Sequence, residues 1–434
     1  MKTDKRFVVI AVNAVIFVAL LGGLEFTARR IQIHRLGRRA LVAQARMDRW
    51  TAWRNTPGYD RGDIHHDKQG FRHDEDVSME KPANTVRIFF LGGSAAYGCE
   101  GQYRSMDPAW QRIYNRDLID TYLQSALQQR HPERRWEVVN AAVNEFRMHQ
   151  HLGLIYTQLL RYHPDLVIFM DGHNDMSGIM SQEEGTYDPF AATPHQAEFD
   201  NMVYPKSLRS LLLINTMWLR NNSVLFDVMY RKTLARQQEK AYGPGADPAE
   251  PVTSPVRFGD IPAAQQRRAK ANLAQIDYYP QMAQRLFAAL AHEGIPALFS
   301  MQPELILSPK PLTPIEAKFA NYTRQISRRY ITYMYEQMQP AISHLMAEAA
   351  QRDGFVFVDL GDTFRSVREK TFTDYCHMTP RGNQLIADRL YKAMEPALIP
   401  KLVASTAAPP YSASSLGHDE RRTPQFAGAI TMQR

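Results

Sequence analysis

Short apolar runs alternate with amphipathic stretches along most of this chain. Five of these runs are rich in β-branched or aromatic residues, and they cover residues 86–91, 136–140, 166–170, 297–301 and 355–360. In the third run, Val167, Ile168 and Phe169 are consecutive apolar residues, as expected for a strand that is buried on both faces. Stretches with helical spacing, for example residues 117–130 and 282–292, separate the runs. The pattern therefore predicts a parallel sheet flanked by helices.

A separate apolar segment lies near the N-terminus. Residues 7–24 carry no charge and would span about 27 Å as a helix, close to the thickness of the hydrocarbon core of a bilayer. Three basic residues precede the segment and no small-x-small cleavage site follows it cleanly, which favours an uncleaved signal anchor over a removed signal peptide. A buried core helix is the alternative.

The orientation of this anchor is less clear from the charges. Five arginines follow the apolar segment, at positions 29, 30, 35, 38 and 39, and the positive-inside rule therefore argues against export. We nevertheless expect a single-pass protein of the inner (cytoplasmic) membrane whose main domain is periplasmic or otherwise extracytoplasmic.

The positive charge of the chain is unevenly distributed. The formal charge is +7, but residues 1–61 carry 12 basic and four acidic side chains, while the rest carries 40 basic and 41 acidic ones. The excess therefore lies beside the apolar segment, where anionic lipid headgroups are the natural counter-charge. Nucleic-acid binding is disfavoured, and the membrane is the expected partner.

Composition divides the 434 residues into parts. We predict an N-terminal anchor at 1–28, a basic juxtamembrane and polar lead-in outside the core at 29–80, a main domain at 81–400, and a disordered tail at 401–434. About 125 residues separate the third and fourth predicted strands, far more than a normal strand-to-helix connection. Residues 177–280 are therefore predicted to be an insertion with its own helices that shapes the substrate site.

Ser94 directly follows the first predicted strand, on a glycine-rich turn. Its hydroxyl would project from the carboxyl edge of the sheet, where open α/β sheets bind ligands. Gly92 and Gly93 would permit a tight backbone and leave room for a substrate carbonyl, with the Ser94 N–H directed into the same space. A helix cap or a phosphate cradle is an equally good interpretation of this turn alone.

Further polar side chains occur at the ends of other predicted elements. Asn174, in the turn after the third strand, offers a neutral amide donor for a developing oxyanion, with an Asx turn as the alternative. Asp374 and His377 lie three residues apart, before a helix that Thr379 can cap. Asp374 can hold the Nδ1 proton of His377 and leave Nε2 free to accept the proton of Ser94. A second capping group is the alternative for Asp374.

Taken together, these blocks resemble the SGNH hydrolases, also called the GDSL family. The matching motifs are GFR at 70–72, GGS at 92–94, GHND at 172–175, QPELILSPKPLTPIE at 302–316, DYCH at 374–377 and GN at 382–383. The resemblance implies a flavodoxin-like three-layer α/β/α sandwich with a five-stranded parallel sheet. It also implies that Ser94 is the nucleophile, that Asp374 and His377 complete its triad, and that Asn174 and the Ser94 amide form the oxyanion hole.

Some positions depart from the family pattern. Gly93 replaces the Asp of the GDS form. The glycine that the family usually places after the second strand is Ala142 here, and Glu145 stands where a second glycine is common. The Ala142 N–H would still serve as the third oxyanion donor if this residue avoids a positive φ.

The two cysteines and a group of histidines raise further possibilities. Cys99 lies five residues after Ser94, and Cys376 immediately precedes His377, so a disulfide is possible in an oxidising compartment. Two unrelated thiols are the alternative. Three histidines within residues 65–73 are irregularly spaced in a polar segment, which favours a solvated surface over a metal site. We expect neither a metal nor another cofactor.

Three functions remain open for such a chain. The first, which we favour, is an esterase that removes a small, acetyl-like acyl group from an envelope glycan or lipid through an acyl-enzyme at Ser94. The second is an O-acyltransferase, in which a polysaccharide hydroxyl resolves the same acyl-enzyme. The third is a non-catalytic, membrane-anchored scaffold of an envelope assembly system, suggested by Ala142, the long insertion and the anchor.

Overall fold

The computed structural model of this protein describes residues 5–36, 44–181 and 255–404, together with 219, 222–230, 232 and 233. The strands of these residues are β1 (Ala45–Asp48), β2 (Ala52–Asn55), β3 (Thr85–Gly92), β4 (Arg135–Asn140), β5 (Leu166–Asp171), β6 (Ala297–Met301) and β7 (Val356–Asp359). The helices are α1 (Lys5–Leu36), α2 (Ser94–Tyr97), α3 (Ile119–Arg130), α4 (Met148–Thr157), α5 (His173–Ser181), α6 (Ala263–Leu273), α7 (Tyr278–His292), α8 (Pro314–Asp353), α9 (Pro380–Met394) and α10 (Leu398–Ala404).

The core is a five-stranded parallel sheet in the order β4-β3-β5-β6-β7. Every residue of β3 and of β5 is buried, because helices cover both faces of the sheet. On one face α3 packs against α9, and on the other α7 packs against α4 and α8. The predicted flavodoxin-like α/β/α sandwich is confirmed, and the five predicted strands begin and end within two residues of the observed ones.

The lead-in before the sheet is part of the core, which contradicts the prediction for residues 29–80. β1 and β2 form an antiparallel hairpin, and both Trp53 and Phe71 are buried in the hydrophobic core. The ring of Phe71 lies 5.4 Å from that of Phe89 on β3. The prediction was wrong because the abundance of polar residues concealed the few aromatic side chains that bind this segment to the sheet.

The N-terminal helix is long and apolar enough to cross a membrane. The candidate span runs from Val12 to His34, and none of its apolar window is buried inside the protein. A signal sequence satisfies the same criterion of length and composition, so the helix alone does not distinguish an anchor from a signal. The span begins and ends later than the uncharged segment at 7–24.

Two of the predicted parts lie largely outside the described residues. Most of the predicted insertion at 177–280 lies outside the described residues. Its last part is described: α6 packs near α8, and α7, which begins inside the insertion, packs near α4. At the other end, α10 continues to Ala404, so the first four residues of the predicted tail are helical. Residues 405–434 are outside the description.

Candidate active site

Ser94 is the first residue of α2, a helix of four residues that follows β3 directly. A Cβ on Gly92 would lie 2.3 Å from the carbonyl oxygen of Met170, and a Cβ on Gly93 would lie 2.2 Å from Asn174 Nδ2. The two glycines therefore let the chain turn sharply between close neighbours. As the first helical residue, Ser94 has a backbone N–H with no acceptor inside the helix.

The side chains of Ser94, His377 and Asp374 form one continuous chain of hydrogen bonds. Ser94 Oγ lies 2.8 Å from His377 Nε2, and His377 Nδ1 lies 2.8 Å from Asp374 Oδ2. An ionised carboxylate only accepts hydrogen bonds, so Nδ1 carries the imidazole proton and Nε2 accepts from the serine hydroxyl. The structure thus brings together Ser94 with Asp374 and His377, which the sequence analysis singled out and which lie about 280 residues from Ser94 in the chain.

Backbone N–H groups fix the Asp374 carboxylate in place. Gln102 N donates to Oδ2 at 2.7 Å, while Cys376 N and His377 N donate to Oδ1 at 2.9 and 2.8 Å. Burial acts to raise the pKa of Asp374, but the His377 imidazole and these N–H groups outweigh burial and hold that pKa below its ordinary value. Asp374 therefore stays ionised and orients the imidazole.

A buried ion pair supports the loop that carries this aspartate. Glu316 Oε1 accepts hydrogen bonds from Thr371 N at 2.9 Å and from Phe372 N at 3.1 Å. Glu316 Oε2 lies 2.5 Å from Lys310 Nζ, and neither side chain of the pair is exposed. Glu316 also closes a capping box with Thr313 at the start of α8. We assigned no role to this glutamate from the sequence, although the T-P-x-E capping pattern was a signal for it.

Arg72 contacts the C-terminal end of α2, the helix that begins with Ser94. Its Nη1 donates to the carbonyl oxygens of Tyr97 and Gly98, both at 2.8 Å, and its Nη2 donates to Ile113 O at 2.9 Å. Arg72 is buried, and a cation at the C-terminal end of a helix is favourable. The GFR motif therefore contributes an arginine that fixes the position of α2.

Asn174 lies beside the glycine turn that carries Ser94, as the sequence predicted. It is the second residue of α5, and its Nδ2 donates to Phe146 O at 2.9 Å. An amide nitrogen carries two hydrogens, so one remains to point toward the space next to Ser94. The glycine at position 93 allows this approach, because a side chain there would displace the amide.

The Ala142 N–H does not point to this space, which contradicts its predicted role as the third oxyanion donor. It donates to Asn140 Oδ1 at 3.1 Å, and Ala142 is completely buried. Asn140 Nδ2 in turn donates to Asp120 Oδ1 at 2.7 Å. Ala142 avoids a positive φ, as the prediction required, but the buried side chain of Asn140, two residues earlier in the chain, accepts its hydrogen bond.

Glu145 adopts the left-handed backbone conformation, with a φ of 63°. This conformation favours glycine and costs a non-glycine residue on the order of 1 kcal/mol. The next residue, Phe146, supplies the carbonyl oxygen that accepts from Asn174. The loop thus keeps a glycine-like backbone at a position where the SGNH pattern commonly has glycine, and this backbone positions an acceptor for Asn174.

A second buried group of polar side chains lies next to Asn174. His173 Nδ1 lies 2.7 Å from Glu304 Oε1, and its ring stacks on Tyr335, with the ring centroids 5.5 Å apart. The Tyr335 hydroxyl lies 2.8 Å from Ser177 Oγ. Burial acts to lower the pKa of His173, but Glu304 outweighs it and raises that pKa above its ordinary value. Neither Tyr335 nor Glu304 stands out in the sequence as a site residue.

Cys99 and Cys376 are both free, so the possible disulfide between them is not formed in this structure. Cys99 Sγ lies 3.0 Å from Asn144 Oδ1, and Cys376 Sγ lies 3.6 Å from His377 Nδ1. Burial raises the pKa of both thiols, to about 12 for Cys99. Each sulfur is thus a protonated, inward-facing group with its own neighbour.

Among the described residues, Asp374, Cys376 and His377 are close enough to hold a metal ion, with their candidate ligand atoms within 4.8 Å of one another. They fit a metal poorly, because the carboxylate already accepts four donors and the thiol stays protonated.

The prediction that the histidines of residues 65–73 lie on a solvated surface needs correction. His66 is completely buried and its Nε2 lies 2.7 Å from the Tyr97 hydroxyl.

Known proteins resemble this chain weakly. No protein-family model and no curated protein matches it. An α/β hydrolase enzyme from the metagenome of Lake Arreo, Spain, is 13% identical, with a TM-score of 0.35 over 73% of this chain and 98% of that one. An acetylxylan esterase from Geobacillus stearothermophilus is 12% identical (TM-score 0.33; 71% and 94% covered). A Parabacteroides merdae protein described as a GDSL-like lipase is 9% identical (TM-score 0.36; 73% and 99% covered). Similarities this low carry no argument about function.

Proposed function

We propose that this protein is a serine esterase that forms an acyl-enzyme at Ser94 and removes a small, acetyl-like acyl group from an envelope glycan or lipid. The observation that carries the proposal is the hydrogen-bonded chain of Ser94, His377 and Asp374, with 2.8 Å at each of its two links. A serine hydroxyl is a weak nucleophile unless an adjacent base accepts its proton. Here the base lies within hydrogen-bonding reach, and a buried carboxylate orients it.

In the first half of the proposed reaction, His377 Nε2 takes the proton of the Ser94 hydroxyl as Oγ attacks the ester carbonyl carbon. The carbonyl π electrons move to oxygen, and the resulting oxyanion is stabilised by the Ser94 N–H and the Asn174 amide. The intermediate then collapses, the bond to the alcohol oxygen breaks, and the imidazolium gives its proton to that leaving group. The acyl group remains on Ser94 Oγ.

In the second half, His377 removes a proton from water, and the hydroxide oxygen attacks the acyl carbon. Collapse of this second intermediate returns the proton to Ser94 Oγ and releases the carboxylic acid. If a sugar hydroxyl takes the place of water, the same steps yield an acylated sugar, which defines the O-acyltransferase alternative. The two alternatives share every residue named here and differ in the nucleophile that reaches the acyl-enzyme.

A covalent probe tests the acyl-enzyme directly. The full-length protein is treated with a fluorophosphonate, and the adduct is located by peptide mass spectrometry. We expect one modification, on Ser94, and hydrolysis of p-nitrophenyl acetate that falls by roughly 10⁴-fold or more in Ser94→Ala. The matched control is Ser125→Ala on the exposed face of α3, where the hydroxyl donates to Thr121 O within the helix.

Two results would contradict this proposal. Ester hydrolysis that persists in Ser94→Ala would exclude Ser94 as the nucleophile. Absence of any adduct in a protein with a cooperative thermal transition would favour the non-catalytic scaffold instead. Adding an oligosaccharide acceptor then separates hydrolysis from transfer, because transfer yields acylated sugar in place of free acid.

We also propose that α1 anchors the protein in the inner membrane as a single span, with the catalytic domain on the extracytoplasmic side. The support for an anchor is a helix of 32 residues whose apolar window has no buried residue. The support for export is the nature of the proposed substrate, since acylated envelope glycans lie outside the cytoplasm. A C-terminal alkaline phosphatase fusion should be active, and an inactive fusion beside a fluorescent GFP fusion would refute this orientation.

A further inference from the structure

The carboxylate of Glu25 on α1 contacts a second, distant part of the chain. It accepts hydrogen bonds from Ser223 Oγ at 2.8 Å and from the backbone N–H groups of Val224 and Leu225, both at 3.0 Å. Arg29 on the next turn of α1 donates to Glu25 at 2.6 Å. Glu25 therefore caps the helical residues 224–230 from outside their own segment, supplying acceptors that the first N–H groups of a helix lack.

Glu25 is the first charged residue inside the candidate span Val12–His34, and we place the end of the hydrocarbon part of α1 there. A bilayer core of about 30 Å needs roughly 20 apolar helical residues, whereas α1 has 32. The helix carries no charge from residue 7 to residue 24, and every charged side chain of its second half lies at or beyond Glu25. Because a charge inside the hydrocarbon core is costly, Glu25 and Arg29 lie at the level of the lipid headgroups when α1 spans a bilayer.

The segment capped by Glu25 presents apolar side chains to its surroundings. Met229 is 59% exposed and Val228 is 38% exposed. Lys232, a basic residue, follows them and is exposed as well. Exposed apolar side chains next to basic ones are typical of helices that lie in the membrane interface.

We infer that residues 222–230 form a membrane-interface element, which is held at headgroup depth by Glu25 and inserts Val228 and Met229 between lipids. The inference rests on the proposed anchoring by α1, because the level of Glu25 sets the level of the element. The lipid bilayer is the partner because Glu25, which holds the start of this segment, directly follows the uncharged apolar stretch 7–24 of α1.

A nitroxide at position 229 tests the depth of this element. Met229→Cys is labelled in the full-length protein and reconstituted into vesicles of phosphatidylethanolamine and phosphatidylglycerol at a 3:1 ratio. Power saturation then compares collisions with oxygen, which concentrates in lipid, and with a water-soluble nickel chelate. Labels at His344→Cys on the exposed surface of α8 and at Val15→Cys in the middle of α1 are the controls. The unsubstituted protein, in which Cys99 is partly exposed and Cys376 is buried, gives the labelling background.

The outcomes separate the two proposals. We expect the label at 229 to be several-fold less accessible to the nickel chelate than the label at His344, and the label at Val15 to be less accessible still. Accessibility at 229 equal to that at His344, with Val15 protected, would overturn the interface element while leaving the anchor intact. A water-accessible label at Val15 would overturn the anchor itself. Dipolar broadening at 229 in dilute vesicles would mean that a second copy covers the surface, which also overturns the inference.

Glu25→Gln tests the cap itself with little change of shape. The amide loses the charge and one of the two acceptor oxygens, so we expect the accessibility of the 229 label to the nickel chelate to rise several-fold while the Val15 label does not change. An unchanged 229 label would exclude Glu25 as the residue that holds the element. Thr27→Val is the matched control, because Thr27 Oγ1 donates to Gly23 O within α1 and contacts no other element through that bond.

Discussion

Two loops at the carboxyl edge of the sheet differ in how firmly the structure prepares them for catalysis. The loop after β7 carries Asp374 and His377, and three backbone N–H groups together with the imidazole hold the carboxylate. The loop after β4 carries Ala142 and Glu145, where one N–H is taken by Asn140 and the other residue has a left-handed backbone. The first loop has the hydrogen bonds that the proposed proton transfer needs, whereas the second departs from the arrangement that the SGNH resemblance implies.

This difference teaches that the two halves of the proposed hydrolytic site are secured by different means. The Asp/His loop is fixed by a buried ion pair, Lys310 with Glu316, that belongs to the start of α8. The oxyanion side depends on Asn174, which is positioned by Phe146 O and by the absence of a side chain at Gly93. Variants on each side therefore measure the two halves separately.

The largest expected effect is on the proton-transfer side. Asp374→Asn keeps the shape of the side chain but cannot hold the Nδ1 proton as an ionised carboxylate does, so we expect kcat for ester hydrolysis to fall by roughly 10⁴-fold. Steady-state kinetics on p-nitrophenyl acetate give the value. Asp362→Asn, at an exposed position paired with Arg365, should leave kcat unchanged. A loss of less than about tenfold in Asp374→Asn would mean that this carboxylate does not orient the base.

The next largest effect concerns the oxyanion side. Asn174→Ala removes an amide donor, and we expect kcat to fall by roughly 10²–10³-fold with a smaller change in KM. Asn321→Ala, on an exposed turn of α8, is the matched control. If Asn174→Ala retains most of the activity, the charge develops away from this amide and the loop after β4 must supply the donors instead.

The pH dependence of stability tests the hydrogen bonds that link Asp120, Asn140 and the Ala142 N–H. Burial raises the pKa of Asp120 from 3.8 to about 6. Between these pH values the unfolded chain releases the proton while the folded protein keeps it, so this group lowers the free energy of unfolding as pH rises from about 4 to 6. The expected loss is on the order of 3 kcal/mol and persists above pH 6.

Urea unfolding of the wild type and of Asp120→Asn across this pH range measures the effect. We expect the stability difference between the two proteins to shift in favour of the variant as pH rises, because the amide does not titrate. A difference that stays constant from pH 4 to pH 7 would contradict a raised pKa at Asp120. The Asp120 carboxylate, which accepts a hydrogen bond from Asn140, would then be ionised throughout this pH range.

The smallest expected effect is at Glu145. Glu145→Gly relieves the left-handed backbone, and we expect the free energy of unfolding to rise by up to about 1 kcal/mol, with kcat changed less than threefold. His163→Gly is the comparison, since its φ of 52° is also left-handed and it lies before β5, away from the reacting groups. A destabilisation at Glu145 that is absent at His163 would show that the glutamate side chain stabilises the loop.

The sequence by itself determined the sheet and most of the residues that meet at its edge. Apolar runs and glycine turns are local patterns, so they placed the five strands and brought Ser94, Asn174, Asp374 and His377 to the ends of elements that share one edge. The same local patterns were misleading for residues 29–80. Trp53 is buried in the core that the sheet forms with distant parts of the chain, and the local composition around Trp53 does not show that contact.

The tertiary structure alone decided which groups each backbone N–H and buried charge would find. Glu316 accepts hydrogen bonds from Thr371 and Phe372 across 55 or 56 residues of sequence, and Asp120 Oδ1 accepts one from Asn140 Nδ2 across 20 residues. These partners come from different elements, and a hydrogen bond requires atoms within about 3 Å of each other. Sequence spacing fixes such distances inside one turn, as for Asp374 and His377, whereas packing fixes them everywhere else.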